Sequence, residues 1–264
     1  MTKLILAGLA FLAAPTPAYA WSADGHRAVC LVAWEQINDA AKSQIVELLD
    51  ISTGEDFAQS CTWADAIARE RPETAAWHGV ELPMAERAFE LARDCKAPTS
   101  CVIEQVEKHA RLLRSDAPKG AKAESLKFLA HLTGDLHQPL NIGFIDHLDG
   151  RQISGMFHGL PSNLHAVWDH GLLATLAAHG QDTAKIIFEA AAWSGRLTGA
   201  DKKTPLEWAN ETLWVTVSPP TGYIGNKGGD FFGERYIRQN RPIALEQIDK
   251  AGVRLADMLN EALR

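Results

Sequence analysis

Residues 128–140 read FLAHLTGDLHQPL, an apolar run that carries a histidine and an aspartate ahead of a proline. His131 and Asp135 are four residues apart, so on a helix both side chains lie on one face, one turn from each other. Pro139 disfavours continuation of the helix, which places the pair in its last turns. Imidazole nitrogen and carboxylate oxygen without thiolate suit a catalytic zinc site, so the segment predicts a helix that supplies metal ligands.

The same spacing recurs at His165 and Asp169, within the segment NLHAVWD at residues 163–169. One such pair is common by chance, but two pairs with further histidines and aspartates upstream form a metal-ligand pattern. The candidate ligands in chain order are Trp21, His26, Asp65, His78, His131, Asp135, His165 and Asp169.

Residues 1–20 have the features of a secretory signal peptide. Lys3 supplies a positive start, residues 4–14 are apolar, and residues 18–20 (AYA) form a small-x-small cleavage site. The apolar run is too short to span a bilayer as a helix, and no later segment is a better candidate, so we expect a soluble protein, secreted or periplasmic. An uncleaved anchor is the alternative. Cleavage frees the α-amine of Trp21, which can chelate a metal together with its own carbonyl oxygen.

The chain carries 26 basic and 33 acidic residues, a net charge of −7. Bulk electrostatics therefore argues against a general nucleic-acid binder. Bound zinc weakens that argument, because each ion adds two positive charges at the site itself. An acidic protein can then bind phosphate locally.

The four cysteines of an exported chain suggest disulfides. Cys95 and Cys101 enclose a loop rich in Pro, Ser and Thr and form the first expected pair, which leaves Cys30 with Cys61. Cys30 lies four residues after His26, and Cys61 lies four residues before Asp65. If those two helices run antiparallel and their ligands meet, the two cysteines can also meet. Two free buried thiols are the alternative for this second pair.

Apolar residues recur at helical spacing along most of the chain. The pattern predicts helices at residues 25–49, 56–69, 102–113, 121–136, 163–178, 182–197, 204–215 and 242–263. Ser100 is the expected N-cap of the third helix, and a short hairpin is expected around Asp149-Gly150. We therefore predict an all-α fold, a single mostly helical domain at residues 21–264 with a metal cleft, long loops and at most a short β-hairpin.

Several short motifs give the chain a wider resemblance. They are WSADGH at 21–26, TWAD at 62–65, WH at 77–78, FLAHLTGD at 128–135, QPL at 138–140, NLHAVWD at 163–169 and AGVRLADMLN at 251–260. Together they resemble the secreted single-strand-specific zinc nucleases and 3′-nucleotidases, to which bacterial zinc phospholipases C are distantly related. The resemblance covers nearly all of residues 21–264, and its motifs are specific only in combination.

The resemblance implies three zinc ions in one cleft. The first is held by Asp65, His78, His131 and Asp135, the second by His165, Asp169 and one further histidine, and the third by Trp21, His26 and Asp135. The implied activity is hydrolysis of single-stranded RNA and DNA to 5′-nucleotides, together with removal of phosphate from 3′-mononucleotides. Asp65 is the implied catalytic carboxylate, which orients the attacking water. No protein partner is implied.

The sequence departs from this family pattern at the second zinc. Asn141 follows QPL at residues 138–140, where the further histidine is expected, and an amide oxygen is a poor zinc ligand. Three outcomes are open: the second ion is weakly bound or absent, one of His137, His147 and His158 substitutes, or a harder ion binds there.

Gly79 is a second departure, because relatives often carry at this position an aromatic residue that stacks on a nucleobase. The loss of stacking costs roughly 1–3 kcal/mol per base if nothing replaces it. The preference for RNA or DNA and for particular bases is therefore not predicted.

Two other functions compete with the nuclease. One is a zinc phospholipase C, although these enzymes tend to carry glutamate where this chain has Asp169. The other is a catalytically impaired zinc-binding relative, which Asn141 motivates. His109, His170 and His179 lack a carboxylate partner at helical spacing and are interpreted as surface or packing residues.

Overall fold

The computed structural model describes residues 21–96, 100–194, 203–225 and 230–264. The expected signal peptide lies outside these ranges. The α-helices are α1 (Ala23–Gln36), α2 (Asp39–Leu49), α3 (Gly54–Ser60), α4 (Trp63–Ile67), α5 (Leu91–Asp94), α6 (Val102–Arg114), α7 (Lys119–Leu136), α8 (Leu164–Ala166), α9 (Leu172–Ala174), α10 (Thr183–Ser194), α11 (Pro205–Thr216) and α12 (Glu234–Ala262). The strands are β1 (Val80–Leu82), β2 (Ile142–Phe144), β3 (Ser154–Phe157), β4 (Leu160–Asn163) and β5 (Asp230–Phe231). The prediction of a mostly helical fold is confirmed.

Helix α7 is the centre of the molecule. Every residue from Phe128 to Leu136 is buried, as expected for a helix enclosed by protein on all sides. Helix α6 covers one side of α7, while α12 and α2 pack on others. The last turns of α7 carry His131 and Asp135, so the two side chains sit on a rigid element in the core.

Helices α1 and α12 form the most extensive helix pair. They approach closely at Gly252, where an added Cβ would lie 2.4 Å from Cγ1 of Val32 and 2.8 Å from the carbonyl oxygen of Val29. The absence of a side chain at Gly252 therefore lets the backbones meet. This packing fixes the position of α1, which carries His26.

The predicted helix at residues 25–49 is two helices, α1 and α2. Ile37 is extended between them, and the Asn38 side chain accepts from the backbone N–H of Ala41 at 2.9 Å as the N-cap of α2. Asn260 of α12 accepts from the Asn38 backbone N–H at 2.8 Å and donates to the Gln36 carbonyl at 3.1 Å. The break is thus stabilised by a residue more than 200 positions away, which periodicity does not reveal.

Two smaller expectations are corrected. The N-cap residue of α6 is Cys101 and not Ser100, whose hydroxyl instead donates to the Glu104 carboxylate. The hairpin pairs β3 with β4 and turns at His158-Gly159, not at Asp149-Gly150. Both turn residues there have positive φ, of 47° and 78°, so glycine at 159 suits the tight connection.

Two small sheets complete the fold. Strands β1 and β2 are parallel, with Val80 opposite Ile142, and the second sheet has the order β4-β3-β5. The β1–β2 pair matters for the site, because β1 begins two residues after His78 and β2 directly after Asn141. The pairing therefore brings these two segments together.

Two disulfides join Cys30 to Cys61 and Cys95 to Cys101, the pairing expected from the sequence. The first ties α1 to the junction of α3 and α4, and so links the helix of His26 to that of Asp65. Across the described ranges, none of the helices combines the length and apolar character needed to cross a membrane.

Candidate metal centre

Four side chains from three parts of the chain converge beside the end of α7. Nε2 of His131 lies 3.3 Å from Oδ1 of Asp65 and 3.3 Å from Oδ2 of Asp135. Nδ1 of His78 lies 2.9 Å from Oδ2 of Asp135 and 3.9 Å from Oδ1 of Asp65. These are the four residues expected at the first zinc.

His26 joins the cluster from α1. Its ring stacks on that of His131 with centroids 3.7 Å apart, and its Nε2 lies 3.4 Å from Oδ1 of Asp135. The two carboxylate oxygens of Asp135 therefore face different histidines, Oδ1 toward His26 and Oδ2 toward His78 and His131. Asp135 would therefore offer one oxygen to each of two groups of candidate ligands.

The ligand atoms of the cluster are buried without hydrogen bonds. Within the described residues, this holds for both ring nitrogens of His26 and His78, Nε2 of His131, Oδ1 of Asp65 and both carboxylate oxygens of Asp135. A buried polar atom left without a partner costs about 1–3 kcal/mol. So many in one place indicate a site shaped for a bound cation, and two histidines with two aspartates are a donor set that zinc accepts.

The backbone fixes the orientation of His131. Its Nδ1 lies 2.7 Å from the carbonyl oxygen of Cys61, so Nδ1 carries a proton and donates, and Nε2 is the ring nitrogen directed at the two carboxylates. Cys61 is also held by the disulfide to α1. The ring of His131 therefore depends on the junction of α3 and α4 for its orientation.

The charges of the cluster compensate one another. Burial alone opposes ionisation of Asp135, but His131 and His78 hold the pKa of its carboxyl well below its usual range. Burial likewise disfavours charge on His131, yet Asp135 and Asp65 raise its pKa to about 9. Burial, and then the adjacent His131, lower the pKa of His26. A cation entering the cluster would take over the role of the proton that His131 holds.

Trp21 lies against the same cluster. Its side chain is fully buried, and its indole N–H donates to the carbonyl oxygen of Gly134 at 3.1 Å. A Cβ on Gly134 would lie only 2.9 Å from Nδ1 of His26, so glycine at this position makes room for the imidazole. The structure thus places the Trp21 side chain against Gly134, the residue before Asp135, and His26 within 3.4 Å of Asp135.

The second histidine–aspartate pair has a different environment. Nε2 of His165 lies 3.1 Å from Oδ2 of Asp169, but also 2.8 Å from Nη2 of Arg151. Nε2 of Gln138 donates to Oδ1 of Asp169 at 2.5 Å. Nε2 of His165 and Oδ1 of Asp169 therefore contact protein donors, and within the described residues no third His, Cys, Asp or Glu completes a metal group with this pair. The second zinc does not fit.

The expected substitutes for Asn141 do not rescue the second site. His137 is buried, with Nδ1 2.7 Å from the Thr133 carbonyl and Nε2 2.8 Å from Nη1 of Arg254. His158 is exposed at the hairpin turn. The side chain of His147 lies outside the described part of the chain. Asn141 itself donates to the Asp135 carbonyl at 3.4 Å.

Gly79 also has a structural explanation. An added Cβ would lie 2.8 Å from the carbonyl oxygen of Asn141, which is backbone and is fixed by the β1–β2 pairing. A side chain at Gly79 therefore requires the strand pair to separate. Gly79 and Asn141, the two departures from the family pattern, therefore lie next to each other.

A cavity of about 370 Å³ opens beside the cluster. His78, Gly79, Glu81, Asn141 and Asp149 are among its lining residues. Burial, and then the neighbouring Asp149 carboxylate, raise the pKa of Glu81 to about 8. Carboxyl groups on the cavity wall therefore lie close enough to affect each other's ionisation.

Sequence reasoning missed Gln138, Arg151 and the pairing of Glu81 with Asp149. In the sequence, Gln138 is recognisable only as part of the QPL motif. Its hydrogen bond to Asp169 appears in the structure. One feature of the sequence could have pointed to Arg151, which is a cationic residue ten positions after Asn141.

Comparison with known proteins supports the assignment by motif. A family model described as S1/P1 nuclease matches residues 21–264. Endonuclease 2 of Arabidopsis thaliana is 25% identical over 270 residues, which cover 92% of this chain and 90% of that protein. Nuclease S1 of Aspergillus oryzae is 27% identical over 286 residues, 98% of each chain, and nuclease P1 of Penicillium citrinum is 28% identical over 265 residues, 91% of this chain and 97% of its own. The chain belongs to the S1/P1 nuclease family.

Proposed function

We propose that this protein is an exported, zinc-dependent nuclease that hydrolyses single-stranded RNA and DNA to 5′-nucleotides and removes phosphate from 3′-mononucleotides. The observation that carries the proposal is the buried cluster of ligand atoms without hydrogen bonds around Asp135, in a chain whose relatives are named nucleases and endonucleases.

Two positions of the cluster suit zinc. Asp65, His78, His131 and Asp135 would hold one ion, and His26, Asp135 and the amine and carbonyl of Trp21 would hold another. When bound, such ions polarise water and phosphate oxygens and neutralise the charge that develops during phosphodiester hydrolysis. The acidic net charge of the chain is then compatible with binding a phosphate locally.

Asp65 is the member of the cluster best placed to act on water. Its side chain is 14% exposed, whereas those of Asp135 and His131 are fully buried. We assign to Asp65 the task of accepting a hydrogen bond from the attacking water and so orienting it. Asp135, enclosed by three histidines, positions ligands and does not reach solvent.

The proposal includes export and processing. Residues 1–20 act as a signal peptide whose removal exposes the amine of Trp21, and the two disulfides suit an oxidising compartment outside the cytoplasm. Adding one residue ahead of Trp21 should therefore displace the amine. We expect the extended protein to contain one zinc fewer than the protein that starts at Trp21, measured by native mass spectrometry.

The decisive experiment uses the protein that begins at Trp21. We expect it to cleave single-stranded RNA and DNA, to lose that activity with a chelator and to regain it when zinc is restored. Product analysis should show 5′-phosphate ends, and 3′-AMP should yield adenosine and inorganic phosphate.

Two histidine variants, one in the cluster and one matched control, test the role of the cluster. His131→Ala should abolish zinc-restored cleavage, while His179→Ala, which changes an exposed histidine, should leave it unchanged. A folded, zinc-loaded protein that cleaves no nucleic acid but releases phosphocholine from phosphatidylcholine would overturn the nuclease assignment in favour of a lipid phosphodiesterase.

A further inference from the structure

A guanidinium group lies where the second metal ion of the family pattern is expected. Nη2 of Arg151 is 2.8 Å from Nε2 of His165, and Nη1 is 3.3 Å from Oδ2 of Asp149. Asp149 and Arg151 flank Gly150, whose φ of 76° turns the backbone sharply. The positive charge is therefore held by the same short segment that faces the pair of His165 and Asp169.

Nε2 of His165 has two partners, Nη2 of Arg151 at 2.8 Å and Oδ2 of Asp169 at 3.1 Å. A guanidinium can only donate, so the shorter contact requires Nε2 to accept, in the tautomer whose Nδ1 donates to the Asp149 carbonyl at 2.8 Å. The lone pair that a metal ion would use is thus the acceptor for Arg151. A divalent ion could bind there only by displacing a cation that has its own carboxylate partner.

The other residues at the expected second zinc position also favour contacts within the protein over a metal ion. Asn141 offers no imidazole, and Gln138 donates to the Asp169 oxygen that does not face His165. Asp169 also remains tied to the first cluster, because its carbonyl oxygen accepts from the backbone N–H of Ser22 at 2.9 Å, next to Trp21. The position stays close to the metal cluster while its ligand atoms are used by protein donors.

We infer that Arg151 replaces the second metal ion in this chain and that its guanidinium binds a phosphate oxygen of the substrate. The inference rests on the proposed function, since it concerns the same site. Arg151 is suited to the task because an arginine fork matches the geometry of phosphate and stays charged at all working pH values. About a third of its side chain, 31%, is exposed, and its partner Asp149 lines the cavity beside His78.

Metal content tests the replacement without reference to activity. We expect His165→Ala to leave the number of zinc ions per chain unchanged, because no ion depends on His165. Asn141→His alone should not add an ion, since Arg151 still engages His165. The double variant Asn141→His, Arg151→Gly should gain one ion, and adding His165→Ala to it should remove that ion again.

Phosphate affinity tests the role of the guanidinium. Calorimetric titration of the zinc-loaded protein with inorganic phosphate should show about tenfold or more weaker binding for Arg151→Gln, the effect of one charged hydrogen bond, and a smaller loss for Arg151→Lys. The matched control is Arg238→Gln, which removes the charge of an arginine whose side chain is 66% exposed. It should bind phosphate as the parent does. Thermal melting of each variant verifies that it is folded.

The outcomes separate the two proposals. Loss of one zinc ion in His165→Ala, or unchanged phosphate affinity in Arg151→Gln, would overturn the inference and leave the nuclease assignment intact. Absence of zinc from the parent protein would instead remove the proposed function, and this inference with it.

Discussion

Asp135 is the residue on which the metal cluster depends most. Its two oxygens serve different histidines at 3.4 Å and at 2.9–3.3 Å, and it is fully buried at the end of α7. Asp135 is therefore the one carboxylate among the described ligands that contacts His26, His78 and His131.

Asp135→Asn should therefore remove zinc from both proposed positions. The amide keeps the shape but loses the charge and one acceptor oxygen, so we expect metal content to fall below one ion per chain and nuclease activity to fall at least about 100-fold. Elemental analysis and a cleavage assay check this. Asp116→Asn, which changes an exposed aspartate, should alter neither quantity; retention of full zinc by Asp135→Asn would contradict the assignment.

His109 is a buried histidine with a packing role, as interpreted from the sequence. Its ring stacks on Phe128 with centroids 4.9 Å apart, and Nδ1 lies 3.0 Å from the hydroxyl of Ser125. Burial, then Lys108 and Arg71, lower its pKa to about 3.

The shift predicts acid sensitivity. The unfolded chain takes up a proton at His109 near pH 6.5 and the folded protein only near pH 3, so stability falls as the pH drops through this interval. The slope from this group is at most about 1.4 kcal/mol per pH unit. His109→Gln cannot protonate and should show a flatter decline in urea-unfolding free energy between pH 6.5 and 4; parallel curves for variant and parent would rule out the assignment.

At the scale of elements, the contact between α1 and α12 positions the metal site. Gly252→Ala should separate the two helices, because the added Cβ meets Val32 and the Val29 backbone. We expect a loss of about 1–3 kcal/mol in unfolding free energy. Gly120→Ala is the control, since nothing lies within 4 Å of a Cβ there, and it should stabilise α7 by up to about 1 kcal/mol. Equal effects of the two substitutions would show that the close approach is unimportant.

Most helices could be predicted from the sequence, because long amphipathic segments carry a strong periodic signal. The boundaries that failed depend on distant residues. The break before α2 relies on Asn260, and α12 begins at Glu234 and continues through Pro242 because buried residues on both sides, such as Ile237 and Leu245, pack against the core. The ligand set could be assembled from motifs, whereas the position of Arg151 could not, since it depends on the backbone turn at Gly150.

For the whole molecule, the proposed metal binding is coupled to folding. The cluster joins α1, α4, the segment ending at His78, and α7, so zinc would bind the folded state and would have no comparable site in the unfolded chain. At free zinc 100 times above the dissociation constant, one site adds about 2.7 kcal/mol. Chelation should therefore lower the melting temperature by roughly 5–10 °C, measured by calorimetry, with a much smaller change in Asp135→Asn. An unchanged melting temperature in the parent would argue against a structural contribution of the ion.

The disulfide between Cys30 and Cys61 links the activity of the protein to the compartment in which it folds. It holds the carbonyl that orients His131 and ties together the helices of His26 and Asp65. Under the proposed export, this link would form only outside the reducing cytoplasm, and the amine of Trp21 would be free only after cleavage. We therefore expect newly made protein to leave the RNA of its own cell intact and to become an active nuclease only after export. Expression of the leaderless chain in reducing and in oxidising cytoplasm, compared by zinc content and by host RNA integrity, would reveal whether the cell relies on this delay.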